Sequence, residues 1–213
     1  MSCSICEKRP PKRYCPAKGE RICAVCCGRE REVTIDCPSD CSHLIAAHRY
    51  EAEHREPPTR EEFPYPDVEF PPEFVYENWQ VAGGIAGAIL QVQRENTDLR
   101  DSAVFAALEA QAETYRTLGS GIYYERPPDA LLAREVYARV SEFLKEFRQK
   151  LAEHGQASAL KDSGIFQLFV FLLRIGKRET SGRPLSRAYL AFLSASFPQA
   201  EAARKEASRI IIP

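Results

Sequence analysis

The chain has 213 residues and a mass of 24.0 kDa, room for one domain or two small ones. Lys and Arg total 29 against 30 Asp and Glu, a net charge of -1, which excludes a generally basic nucleic-acid coat and an acidic solubilising tail. Hydrophobic residues at 44% and charged residues at 28% give an ordinary globular composition. The longest apolar run, Ile165 to Ile175, is interrupted by Gln167 and Arg174 and falls far short of the ~20 residues of a membrane helix. No membrane partner is expected. The opening Met1-Ser2-Cys3-Ser4-Ile5-Cys6 lacks the apolar stretch of a signal peptide, so a cytoplasmic location is expected.

All eight cysteines lie at the front: Cys3, Cys6, Cys15, Cys23, Cys26, Cys27, Cys37 and Cys41. Disulfides need an oxidising compartment. A redox Cys-x-x-Cys belongs to a strand-helix unit, for which this polar segment has no room. The close C-x2-C-x2-C runs of ferredoxins are absent. Structural zinc is the expected cofactor. From Met1 to Asp40 the apolar residues larger than Ala are Met1, Ile5, Tyr14, Ile22, Val25, Val33 and Ile35. That is too little to offset backbone ordering at ~1–2 kcal/mol per residue. A structural zinc supplies an apparent ~10–16 kcal/mol that becomes folding energy. Each Cys-x-x-Cys turn can present two thiolates to one tetrahedral ion at ~2.3 Å.

The order of the cysteines is a pair (Cys3, Cys6), a single (Cys15), a pair (Cys23, Cys26) with Cys27 attached, then Cys37 and Cys41. Through Cys3-x2-Cys6 and Cys15-x7-Cys23-x2-Cys26 the segment resembles the cross-brace zinc fingers of the HIT and B-box type. The resemblance covers about 50 residues and implies two structural zinc ions. It implies Cys3, Cys6, Cys23 and Cys26 around the first, and Cys15, Cys27, Cys37 and Cys41 around the second. Those families place a second-site ligand where this chain has Ala17 and Lys18, and use His late in the motif. Cys27 fills the gap here. Cys26 and Cys27 are interchangeable at this level, and His43 is an alternate ligand in place of Cys41 or Cys27.

Eight thiolates for two ions leave no open coordination position, and no H-E-x-x-H motif occurs, so the zinc is read as structural and not catalytic. Asp40 reads as the N-cap of a helix from Ser42 to Glu53. His43 then sits on its first turn, His48 and His54 lie in solvent further along, and His154 ends another helix, where a cation suits the dipole. By residue 35, eight cations face four carboxylates, a local +4. This charge balances two tetrathiolate centres of about -2 each, or it contacts nucleic-acid phosphates through Lys8, Arg9, Lys12 and Arg13.

Residues 57–72 hold six of fifteen prolines, which break helix and stiffen the chain. Phe63, Tyr65 and Phe70 among them imply that this strap lies on the remainder. The spacing then predicts helices over 73–95, 98–118, 129–154 with Asp129 as cap, 162 onward, 185–197 and 199–209. The helix after Asp162, apolar on most sides, should be central. Gly83, Gly84 and Gly87 suggest close approach of a second helix. Glu109 with Glu113, and Glu73 with Glu77, share helix faces without the E-x-x-H of a di-iron site. Tyr123, Tyr124 and Glu125 read as an aromatic corner, and Gly119-Ser120-Gly121 as a C-terminal turn. Ile210-Ile211-Ile212 requires a partner surface.

The expected fold class is mainly α: a two-zinc Cys-rich cross-brace module with a C-terminal helix (1–56), a Pro-rich strap (57–72) and an antiparallel all-α helical domain (73–213). The expected function is that of a non-enzymatic adaptor or regulatory protein that contacts another protein. Nucleic-acid binding through the Lys8–Arg13 loop is the first alternative. A helical-domain enzyme or small-ligand sensor with zinc as scaffold is the second.

Overall fold

Two separate hydrophobic clusters organise this computed structural model, which describes residues 2–119, 121, 124–155 and 160–198. The small one gathers Cys3, Cys15, Cys23, Cys26 and Cys27 with Ile22 and Ile35. The large one fills the helical body. The chain is mainly helical: the described residues form eight α-helices and a single two-stranded ribbon. Among them no helix is long and apolar enough to cross a membrane. The expected helix over 199–209, the Ile210–Ile212 tail, Ser120 and Tyr123 lie outside the described residues.

The front begins with a Cys3–Cys6 turn, followed by β1 (Arg13–Cys15) and β2 (Glu20–Ile22), paired antiparallel with Tyr14 opposite Arg21. Gly19, at φ +66, makes the intervening turn, a conformation that suits glycine. Helix α1 (Ala24–Glu30) follows directly, capped by the Cys23 sulfur, and α2 spans Ser42–His54. The residue in the N-cap position of α2 is Cys41, with no side-chain cap. The expected Asp40 cap is therefore one residue early, and a potential ligand occupies the helix entrance instead.

The strap lies on the body as its aromatics demanded. Tyr65 and Phe70 pack on the large core, and Tyr65 donates to Glu113 at 2.6 Å. Arg174 pins the backbone from below. It donates to the carbonyls of Pro64 at 3.1 Å, Val68 at 2.9 Å and Tyr65, and its guanidinium lies 5.0 Å from the Phe70 ring centre. Three backbone acceptors on one half-buried cation replace the ladder that a proline-rich segment cannot form.

The helix expected over 73–95 is two: α3 (Phe74–Glu77) and α4 (Trp79–Glu95). Asn78 divides them because its side-chain amide donates to the Phe74 carbonyl at 2.8 Å, competing with continuation of the helix. Helix α5 is Asp101–Gly119, α6 Leu131–Glu153, α7 Asp162–Glu179 and α8 Ala188–Ser196. Asp129 does not cap α6; Ala130 occupies that position without a side-chain bond. Helix α5 packs broadly on α7 and also on α6, while α4 packs on α6 and α8. Ile165, Leu168, Phe169, Leu172 and Leu173 of α7 are buried, in keeping with its central position. The close approach in α4 is made at Gly84, where an added Cβ would lie 1.9 Å from the Phe143 ring of α6.

One buried carboxylate organises the far end of the body. Asp101, 2% exposed, accepts from the Thr180 hydroxyl at 2.9 Å, the Ser186 hydroxyl at 2.6 Å, and the backbone N–H groups of Tyr189 at 3.1 Å and Leu190 at 3.2 Å. It therefore caps the N-terminus of α8 from another helix, meeting donors the helix cannot satisfy itself. Asp101→Ala would orphan these donors. It should lower unfolding free energy by about 2–4 kcal/mol, read as a lower urea midpoint at unchanged slope. Arg174→Ala should instead make residues 57–72 more susceptible to limited proteolysis while helical content stays constant.

Candidate metal centre

Three local devices bring four sulfurs together. The Cys3–Cys6 turn closes through the Glu7 N–H donating to the Cys3 carbonyl at 2.8 Å and the Cys3 N–H donating to the Arg9 carbonyl at 2.9 Å. The ribbon carries the chain back to Cys23. The first turn of α1 then sets Cys26 beside Cys23. The Sγ atoms of Cys3, Cys6, Cys23 and Cys26 all lie within 4.8 Å of one another, with Cys6 and Cys23 at 4.0 Å. A tetrahedral ion with sulfur bonds of ~2.3 Å holds its ligands about 3.8 Å apart, so this quartet is close to coordination geometry. It is far from the ~2.0 Å of a disulfide, and all eight cysteines are free. These four cysteines can hold a metal ion.

The electrostatics point the same way. Sulfur accepts from the backbone: the Cys23 N–H donates to Cys3 Sγ at 3.2 Å, and the Cys26 N–H donates to Cys23 Sγ at 3.4 Å. Burial pushes the Cys3 thiol up, but the N–H groups of Cys6, Cys23 and Ile5 outweigh it and bring it down to about 6. Cys6 is lowered by the N–H of Lys8. Cys26 is pushed up to about 12 by burial and by the sulfurs of Cys23, Cys6 and Cys3. The site favours the first negative charge and resists the next. A bound dication removes that conflict, because it pays for thiolates that water cannot reach.

The structure groups Cys26, not Cys27, with the first quartet. Cys27 is a further step round α1, with the Arg13 guanidinium 3.5 Å from its sulfur. Cys15, Cys27, Cys37 and Cys41 do not close within the same limit among the described residues. They are neighbours nonetheless: the Cys37 thiol is pushed up by burial and also by Cys41, Cys15 and Cys27. His43 is half-buried on the first turn of α2 and joins no ligand group.

Other sequence candidates are accounted for individually. His48 is not in solvent; its Nε2 pairs with Glu32, a 2.8 Å contact to a side chain only 3% exposed. Burial pushes the Glu32 carboxyl up, but His48, Ser181 and Arg183 outweigh it and hold it below its ordinary value. His54 is exposed, stacks on Tyr50 and bonds its carbonyl. His154 ends α6 on the Lys150 carbonyl. Lys8, Arg9 and Lys12 are exposed, whereas Arg13 is turned toward Cys27. Glu125 accepts from Tyr137 at 2.8 Å, a satisfied corner, while Tyr124 borders an open cleft of about 520 Å³ with Glu109, Glu113 and Arg116. Burial raises Glu109. Burial also acts on Glu113, but its bonds from Arg116 and Tyr65 outweigh it and lower the group.

Sequence reasoning missed how the front is tied to the body. Asp36, next to Cys37, accepts from Arg187 at 2.7 and 3.1 Å and from Arg100 at 2.8 Å. Arg183 donates to the carbonyls of Gly28 at 3.1 Å and Arg31 at 2.8 Å, at the end of the helix bearing Cys26 and Cys27. The Leu185 N–H donates to the Glu32 carbonyl at 2.8 Å. Arg55 of the C-cap of α2 bonds the carbonyls of Arg178 and Thr180. The stretch 180–187 thus meets the end of α1 and the segment before Cys37 on one side and Asp101 on the other. Nothing in the local pattern around Arg183 and Arg187 marked them as docking residues.

No family model matches the chain, and no curated protein or solved structure matches it either. The likeness to HIT and B-box fingers therefore rests on cysteine spacing alone. The docking contacts generate a test. Asp36→Ala combined with Arg183→Ala should speed hydrogen exchange in residues 180–188 at least tenfold. Exchange in α4 and α6 should stay unchanged.

Proposed function

We propose that this protein is a non-enzymatic zinc-scaffolded adaptor, with zinc as a structural ion that shapes a small surface for a partner. The observation that carries the reading is the convergence of Cys3, Cys6, Cys23 and Cys26, all free, on one buried point. An all-thiolate set suits zinc, and it leaves no position for a substrate or an activated water. Each sulfur already points inward from a rigid turn. Binding would fix the fold of the segment and present no reactive face.

The second ion is assigned to Cys15, Cys27, Cys37 and Cys41, in cross-brace order with the first. Arg13 beside Cys27 supplies compensating charge, and Cys41 stands at the N-cap of α2. Beyond the effect of burial, Cys41, Cys15 and Cys27 all push the Cys37 thiol up, which marks the four as neighbours. Residues 1–56 would then be the zinc module, 57–72 the strap and 73–213 the helical domain. Exposed Val25, Val33 and Ile45 on the module offer contact points for another protein.

Elemental analysis of purified protein should give about two zinc per chain, and one or none would remove the two-ion assignment. Cys23→Ser should lose the first ion and unfold residues 1–48. Acidification should release the metal as thiolates are protonated, so zinc affinity should fall steeply below neutral pH.

A further inference from the structure

We infer that the outer face of the β1–β2 ribbon binds single-stranded nucleic acid, with Tyr14 as a stacking platform between the cations Lys12 and Arg21. The inference rests on the metal-held fold proposed above and adds a second, nucleic-acid ligand on a different face of that module. Its starting point is how the fold sorts charge. The ion pairs of the front are made on the side that meets the body or α2: Arg31 and Arg183 with Glu51, His48 with Glu32, and Asp36 with Arg100 and Arg187. Among the described residues Lys8, Arg9, Lys12, Lys18 and Arg21 enter no ion pair, and all five are exposed. A local +4 that looked like neutralisation of the thiolates is therefore segregated. The sulfurs are met from inside, by backbone N–H groups and Arg13, and the remaining cations face outward.

The ribbon register supplies the geometry. Arg13 and Cys15 are on the metal side of β1, so Tyr14 between them is on the other side. Tyr14 is 57% exposed and directly opposite Arg21, at the separation where cross-strand side chains touch. The Arg21 Nε donates to the Pro11 carbonyl at 3.4 Å, which holds its guanidinium over the loop that bears Lys12. Lys12, two residues before Tyr14, shares its side of the chain. An exposed aromatic ring flanked by cations on a rigid ribbon matches a base and its two flanking phosphates. A lone tyrosine among exposed cations lacks the buried, well-packed centre of a protein hot spot. A single strand is favoured over a duplex because stacking on Tyr14 needs an unstacked base.

The test uses the full-length, zinc-loaded chain and a fluorescein-labelled 12-nucleotide oligouridylate, read by anisotropy. Five phosphate contacts on a single strand predict about a hundredfold weaker binding between 50 and 200 mM salt. Lys12→Ala with Arg21→Ala should reduce both the affinity at 50 mM salt and the salt slope. Tyr14→Ala should weaken binding about tenfold and leave the salt slope unchanged, the signature of lost stacking. Lys150→Ala, on α6, should have no effect. Zinc content measured on each sample separates failure of this inference from failure of the metal reading. No binding at 50 mM salt by a chain that carries its zinc overturns the proposal. So does equal binding by Tyr14→Ala, tighter binding of a 12-base-pair duplex, or equal binding of a polyglutamate of matched charge.

Discussion

The first 41 residues depend on sulfur. They contribute two buried isoleucines, Ile22 and Ile35, to a cluster otherwise made of cysteines. That is too little apolar surface to order a ribbon, a short helix and three turns. What holds them is the meeting of Cys3, Cys6, Cys23 and Cys26. Each of these residues sits on a turn whose backbone bonds are also bonds to sulfur or to a cysteine carbonyl. Burial and the neighbouring sulfurs push the Cys26 thiol up, while backbone N–H groups draw Cys3 down. A dication bound by this quartet would reconcile four inward sulfurs with burial.

That small unit is not tethered loosely. Asp36 and the carbonyls of Gly28, Arg31 and Glu32 are acceptors that residues 183–187 complete. The same stretch places Ser186 on Asp101, and Asp101 caps α8. A continuous set of bonds leads from the turn before Cys37 to the entrance of a buried helix. Such a chain has two consequences. It takes up Asp36 and Glu51, while Lys8, Arg9, Lys12, Lys18 and Arg21 stay exposed and outnumber the exposed Glu7 and Glu20 beside them. It also makes the order of residues 180–187 depend on a docked module, as a coupling through shared hydrogen bonds.

Much of this was legible in the residues. The crowding of eight cysteines against so few large apolar side chains pointed to metal. The four- and three-residue steps of Val136, Val140, Phe143 and Phe147 marked α6. The aromatics between the prolines of 57–72 said that the strap must be covered. Less was legible where a bond is made by a partner distant in sequence. His48 reads as a solvated helical residue until Glu32 is found beside it. Asp129 and Asp40 are reasonable local caps, yet neither caps its helix, while Asp101, unremarkable at the head of α5, caps another helix across the core. Asn78 ends α3 through one side-chain bond that no periodicity reveals.

The sequence by itself determined the composition of the candidate site and the helical character of the rest, because both follow from local rules: ligand spacing on turns, and apolar period on helices. Tertiary structure alone decided that Cys26 and not Cys27 faces Cys3, because that depends on how α1 is rotated against the ribbon. It alone decided which charges are spent on docking and which remain free, because an ion pair between Asp36 and Arg187 is set by the packing of two distant segments. Local pattern carries no information about contacts made across such a separation.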